Sequence, residues 1–106
     1  MIPKYHPIQI ALDAIWNIGH TPKIVVDATQ ADVVVPEHIR EKWGVHLPID
    51  LNASYPLNLD YSENGIQVDL AFSGNVCRCT FPWVMIYLVI DRDTGSGTAF
   101  LKGSWI

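Results

Sequence analysis

The side chains best equipped for proton transfer are Asp27, Asp50 and Asp69 together with four histidines, His6, His20, His38 and His46. They stand without the motifs that would make an enzyme of them: the chain has no nucleophile elbow, zinc signature or phosphate-binding loop. Gly95-Ser96-Gly97 comes nearest to a phosphate loop, but no helix carrying Lys and Ser or Thr follows it, and a hairpin turn accounts for its glycines. Cys77 and Cys79 are one residue apart in a strand-like stretch, which places both thiols on one face and would strain any disulfide between them. A structural zinc needs two further ligands, and the histidines show no paired spacing to supply them. The two thiols read as reduced core residues of a reducing compartment. Asp27, two residues before Thr29 at the end of an apolar run, reads as a turn residue bonding local backbone. The expectation is a protein without catalysis, cofactor or metal.

The elements that would hold these residues begin with a helix over about 7–18. Pro7 suits its first turn, Ile8, Ala11, Ile15 and Ile18 recur at spacings of three and four, and Gly19 ends it. Ile10, Ala14 and Trp16 widen the apolar surface beyond one stripe, which fits either a helix capping a barrel end or a dimer contact. Strands are expected at Ile24–Val26, Asp32–Val35, Ile49–Ala53 and Leu57–Tyr61, with a helical turn from Pro36 to Trp43 whose Glu37, Arg40, Glu41 and Lys42 form a solvated face. Glu63-Asn64-Gly65 is a tight-turn signal. After it, Ile66, Val68, Leu70 and Phe72 alternate with Gln67, Asp69 and Ala71, and across Ser73-Gly74-Asn75 the residues Cys77, Cys79 and Phe81 share a face. Met85–Ile90 is apolar on both sides, hence a central or covered strand, and Thr98–Leu101 closes the series. One helix followed by six to eight short strands predicts a mainly β fold, a small, strongly bent barrel or sandwich spanning about 23–101.

With 106 residues, 49% of them hydrophobic and 17% charged, the chain suits a single folded domain over 1–106. Seven basic against eleven acidic side chains give a net charge of -4, which disfavours a nucleic-acid backbone as partner. The longest apolar run, Trp83–Ile90, falls far short of the roughly twenty residues a membrane span requires. The N-terminus lacks an apolar signal core, so a cytoplasmic location is expected.

One ordered set of landmarks goes beyond composition. Thr21-Pro22-Lys23-Ile24-Val25-Val26-Asp27-Ala28-Thr29 and Val33-Val34-Val35-Pro36 are followed by Ile49-Asp50-Leu51-Asn52, Asn58-Leu59, Gln67 to Phe72, Pro82, and Asp93-Thr94-Gly95-Ser96-Gly97-Thr98-Ala99-Phe100. In order and spacing the set resembles the SspB (stringent starvation protein B) family of proteolytic adaptors. The resemblance implies an Sm-like barrel, a homodimer through the N-terminal helix (Ile8, Ala11, Ile15, Ile18) and cytoplasmic delivery of ssrA-tagged polypeptides to ClpXP by way of the ClpX unfoldase. It carries the family's peptide groove onto Asn52, Ala53, Ser54, Tyr55, Pro56, Leu57 and Asn58, and onto Asp69, Leu70, Ala71 and Phe72. Alternation favours core packing for Phe72, whereas Tyr55, Pro56 and Leu57 are the better contacts, an aromatic beside Pro in a loop.

The chain departs from the family pattern in a groove loop two residues shorter, in Ala71 for an Arg and in Asp69 for an Asn. This exchange of charge is expected to disfavour the acidic part of an ssrA tag. Family adaptors end in a long acidic tail that docks on ClpX; here the sequence ends at Ile106, so that tail is expected to be absent. Two other readings are an Sm-like or OB-like RNA-binding barrel, with rings from Trp43, Tyr55, Tyr61 and Trp83, and a non-catalytic assembly module using only the helix.

Overall fold

A computed structural model describes residues 6–100. Its first element is helix α1, Pro7–Asn17. Pro7 can open it because the first-turn N–H has no intrahelical partner to lose, and His6 caps it by accepting the Ile8 N–H at Nδ1, 3.1 Å away. The helix stops at Gly19, whose φ of 78° lets Gly19 and His20 donate back to the Trp16 and Ile15 carbonyls. Ile8 and Leu12 are fully buried, whereas Ile10 and Ile18 are exposed.

Seven strands follow: β1 (Pro22–Val26), β2 (Leu47–Asp50), β3 (Asp60–Tyr61), β4 (Gly65–Phe72), β5 (Asn75–Pro82), β6 (Ile86–Asp91) and β7 (Gly97–Ala99). A short helix α2, Glu37–Trp43, lies between β1 and β2, and one 3₁₀ turn, Trp83–Met85, leads into β6. The strands form two antiparallel sheets, ordered β2-β1-β6-β7 and β3-β4-β5. Register places Ile24 opposite both Ile49 and Val89, so one face of the larger sheet presents a row of branched side chains. Those residues share a single core with Ile8 and Leu12 of α1 and with Ile66, Val68, Cys79 and Phe81 of the smaller sheet. Burying each large apolar side chain contributes roughly 1.5–3 kcal/mol, and one continuous cluster drawn from both sheets and the helix fixes their mutual placement.

The mainly β fold with an N-terminal helix is as expected, but the sheets do not close into a barrel. The segment Asp32–Val35 is not a strand: it makes a single bridge, Val34 with Thr80. Pro36, which serves as the N-cap position of α2, turns the chain away after that pair. The strand expected at Ile49–Ala53 lies two residues earlier, and the one expected at Leu57–Tyr61 is reduced to Asp60–Tyr61 because a turn occupies the preceding loop. Ser73 and Gly74, with φ of 53° and 85°, form the two-residue loop joining β4 to β5, the conformation that matches the twist of antiparallel strands. The tight turn expected at Glu63-Asn64-Gly65 joins β3 to β4, with the Ser62 N–H donating to the Gly65 carbonyl, and Gly65, which opens β4, must be glycine because a Cβ there would lie against the Phe81 carbonyl oxygen. Leu101, the expected end of the last strand, lies outside the described residues.

Candidate functional site

The loop after β2 is shaped by its own polar groups. Asn52 Oδ1 accepts the Ser54 N–H at 2.8 Å, the Tyr55 N–H donates to the Asn52 carbonyl, and the Leu57 N–H donates to the Tyr55 carbonyl. Asn58 follows with φ of 45°, a left-handed conformation that Asn tolerates better than most residues. The Trp16 indole N–H donates to the Leu51 carbonyl at 3.0 Å and ties the start of this loop to α1.

Between the loop and the far end of β4 lies a groove of about 540 Å³. Tyr55, Pro56, Leu57 and Asn58 form one wall and Asp69, Leu70 and Ala71 the other, so seven of the eleven expected peptide-site residues line it. Asn52, Ala53 and Ser54 shape the loop without lining the groove, and Phe72 is half-buried against the core, as its alternation predicted. Asp50 and Val76 also line it, and sequence reasoning missed both. Val76 stands directly opposite Ala71 across the Ser73-Gly74 turn, a position the turn itself specifies. Tyr55 and Val76 are 68% and 72% exposed, large apolar groups held in water on either side of the groove.

Of the described residues lining the groove, those that carry charge are Asp50 and Asp69. Arg92 Nη1 lies 3.0 Å from Asp50 Oδ2. Asp69 accepts from Asn58 Nδ2 at 2.8 Å and from Arg78 Nη1 at 3.0 Å, and Arg78 also reaches Asp60 Oδ2 at 2.8 Å and the Asn58 carbonyl at 2.6 Å. The Asn58 and Arg78 hydrogen bonds hold the Asp69 carboxyl below the usual carboxylate range, so it stays ionised. Asp69 is thus a paired charge and not the isolated negative group that the sequence suggested.

Backbone geometry adds a second feature. The Asp69 N–H donates to the Leu57 carbonyl, away from β5, so Gln67, Asp69 and Ala71 direct their main-chain groups to the β3 side while Leu70 and Phe72 bond β5. On that side β3 pairs with β4 only at Ile66 and Gln67. Among the described residues no strand covers Ala71, and its N–H and C=O open onto the groove.

The remaining polar clusters are structural. Asp27 Oδ1 accepts the Thr29 N–H and hydroxyl, the local turn expected of it. Arg40, expected on a solvated face, instead folds back to donate to the Ala28, Gln30 and Val33 carbonyls, pinning the segment between β1 and α2. His20 Nδ1 lies 2.7 Å from Asp91 Oδ2, while Asp91 Oδ1 accepts the Asp93 N–H and Asp93 Oδ2 accepts the Thr21 N–H. That hydrogen bond raises the His20 pKa and lowers that of Asp91. Ligand atoms of His20, Asp91 and Asp93 lie within 4.8 Å of one another, but all three side chains bond protein groups and act as a latch at the end of α1.

Trp83 is buried, stacked on His6 at 4.5 Å between centroids, with half-buried Tyr61 at 6.0 Å. Of the four rings an RNA-binding face would need, only Trp43 and Tyr55 are exposed, and Arg40, Arg78 and Arg92 are all engaged by protein oxygens. Both cysteines are free; burial pushes the Cys79 thiol up to about 11, an unreactive state. None of the described helices is long and apolar enough to cross a membrane.

On α1, the structure separates the four residues expected at a dimer contact. Ile8 is buried in the protomer's own core, Ala11 and Ile15 are partly buried against it, and Ile18 is exposed in line with Ile10 and Ala14. Residues 8–104 match the family described as SspB, stringent starvation protein B. No curated protein matches the chain.

Proposed function

The chain belongs to the SspB family, and we propose on that premise that it is a specificity adaptor, binding degradation-tagged polypeptides of the ssrA type and delivering them to ClpXP. It performs no chemistry of its own. The observation that carries this reading is the uncovered edge of β4 at Ala71 beside an apolar groove. An extended peptide adds to such an edge through main-chain hydrogen bonds, while its alternate side chains enter pockets, here those walled by Tyr55, Pro56, Leu57 and Val76. The protein works as a homodimer whose contact is the exposed stripe of Ile10 and Ala14 on α1 and Ile18 at its C-cap, with Ala11 and Ile15 beneath it. Two adaptors on one particle raise the effective concentration of cargo at the protease, so modest affinity per groove suffices. The free thiols fit a cytoplasmic setting.

The test is fluorescence anisotropy of a labelled ssrA-type peptide titrated with the protein. Tyr55→Ala combined with Val76→Ala removes two exposed apolar contacts. It should leave the unfolding midpoint nearly unchanged, since exposed substitutions shift stability by about 0.5 kcal/mol or less. Removing an aromatic anchor weakens binding by about 1–2 kcal/mol, roughly five- to thirtyfold. Equal affinity of wild type and variant would place the peptide elsewhere.

A further inference from the structure

Two side chains of α1 hold the loop wall of the groove at both of its ends. Asp13 and Trp16 lie three residues apart on one face of the helix, and neither lines the groove. The Trp16 indole N–H reaches the carbonyl of Leu51, the residue that follows β2, at 3.0 Å. Asp13 Oδ1 accepts the hydroxyl of Tyr61, the last residue of β3, at 3.1 Å. Burial and the nearby Asp13 carboxylate push the Tyr61 phenol above its ordinary value, so the hydroxyl keeps its proton and donates. Leu51 is fully buried and its N–H donates to the Pro22 carbonyl at 2.9 Å, so the loop leaves from a fixed point of the larger sheet. From Asn52 to Leu57 the bonds are local, made by the Ser54, Tyr55 and Leu57 N–H groups within the loop itself. Beyond them the Leu57 carbonyl accepts the Asp69 N–H of β4. The position of the Tyr55-Pro56 lip is therefore set where its ends are held, and the end away from β4 is held by Trp16.

We propose that Trp16 and Asp13 are positioning residues of the peptide site: from outside the groove they fix how far the Tyr55-Pro56 lip stands from the uncovered edge of β4, and with it the affinity for peptide. The inference rests on the groove being a peptide site and deepens that reading by naming what preforms it. A preformed lip spares the incoming peptide the entropy of ordering a loop. With one tie removed, the lip samples positions that no longer match β4, and the apparent affinity falls with the fraction of molecules that remain competent. Both ties are partly buried, where water competes poorly for the groups they join. Each depends on a specific atom: Trp16 on an indole N–H that phenylalanine lacks, Asp13 on an oxygen that asparagine keeps.

Trp16→Phe keeps a ring and removes the N–H, Asp13→Ala removes the acceptor, and Asp13→Asn returns an oxygen to it. Asn17, exposed beside Trp16 on α1, supplies the control Asn17→Ala. Each protein, shown to be folded by circular dichroism, is titrated into a labelled ssrA-type peptide by anisotropy without denaturant. Amide hydrogen exchange is followed at Ser54, Tyr55 and Leu57, with Val68 and Leu70 of β4 as internal references. Trp16→Phe and Asp13→Ala should each weaken the peptide by about two- to tenfold, with faster exchange confined to the lip. Asp13→Asn and Asn17→Ala should stay within about twofold of wild type. A purely structural role gives a different pattern: the urea midpoint falls, but the folded protein binds as wild type does and the lip amides gain no exchange relative to the references. That pattern, or an equal loss of affinity in Asn17→Ala, would overturn the proposal. Failure of the wild type to bind would overturn the groove reading, and the exchange comparison would then decide by itself whether α1 holds the lip.

Discussion

Ala71→Pro separates main-chain pairing from simple burial of side chains in the groove. Proline removes one N–H, and the consequence depends on where that N–H points. The Ser73-Gly74 turn closes with Phe72 opposite Asn75, and Asp69 donates outward to Leu57, so the Ala71 N–H faces the uncovered edge. No bond of the folded chain is lost there, and edge positions tolerate proline. The unfolding midpoint should correspond to a stability change of about 1 kcal/mol or less. An incoming strand, however, loses a donor worth about 0.5–1.5 kcal/mol, which weakens the peptide by about two- to thirteenfold. Leu70→Pro is the contrasting change. Its N–H faces Cys77 in the interior of the hairpin, and losing it leaves a carbonyl unsatisfied at about 1–3 kcal/mol, beyond what Leu70→Ala loses in packing. Urea titrations rank the three variants for stability, and anisotropy ranks those that remain folded for binding. An Ala71→Pro protein as unstable as Leu70→Pro would refute the open edge. One that folds and binds with wild-type affinity would refute main-chain pairing as the mode of recognition.

Two further outcomes test the frame that holds the groove. The His20 pKa is raised by its hydrogen bond to Asp91, so the stability this pair supplies is complete below the ordinary histidine value of 6.5 and is lost as pH rises through the higher folded value. Asp91, shifted the other way, retains its contribution above its ordinary 3.8 and loses it only as pH falls through the lower folded value. The stability difference between wild type and His20→Gln should therefore be largest between about pH 4 and 6.5 and shrink above that range; a difference that grows from pH 6 to 8 would contradict the latch. Gly65→Ala puts a Cβ 2.3 Å from the Phe81 oxygen and 2.7 Å from the Pro82 Cα, backbone atoms that no side-chain rotation can move aside. The strands must part, at a cost of about 1–3 kcal/mol, and a variant with unchanged urea midpoint would show that β4 and β5 do not meet in this register.

The parts of the fold that could be read in advance were those governed by local period. Alternation from Ile66 to Phe72 marked the core face of β4 because a strand half-buried in a sheet must alternate, and the burial of Ile66, Val68 and Leu70 follows it. β-branched propensity misled at Asp32–Val35, where three successive valines suit a strand but find one bridge partner before Pro36 turns the chain. What holds that segment is Arg40, reaching carbonyls seven to twelve residues away. Nothing in the spacing of charges along α2 distinguishes such an arginine from a solvated one. Barrel closure was likewise out of reach, since it depends on strand tilt and stagger and not on any local pattern.

The groove was half legible for a different reason. Its loop wall could be placed through resemblance, but its charge could not be judged from residue types, because Asp69 alone reads as a negative groove and Asp69 with Arg78 does not. Yet that pairing follows from one local fact. Once Ser73-Gly74 is taken as a two-residue turn with both residues at positive φ, counting outward sets Phe72 on Asn75, Ala71 on Val76 and Asp69 on Arg78. The same count gives the missed contact Val76 its place beside the groove and turns the Ala71 N–H toward the open edge. A Ser-Gly turn is weaker in sequence than the Asn-Gly at 64–65, which does mark the turn joining β3 to β4, although Gly65 itself is required by the nearby Phe81 carbonyl and not by a positive φ. The residues that set the groove's shape and charge were therefore coupled through a turn whose identity, rather than whose existence, carried the information.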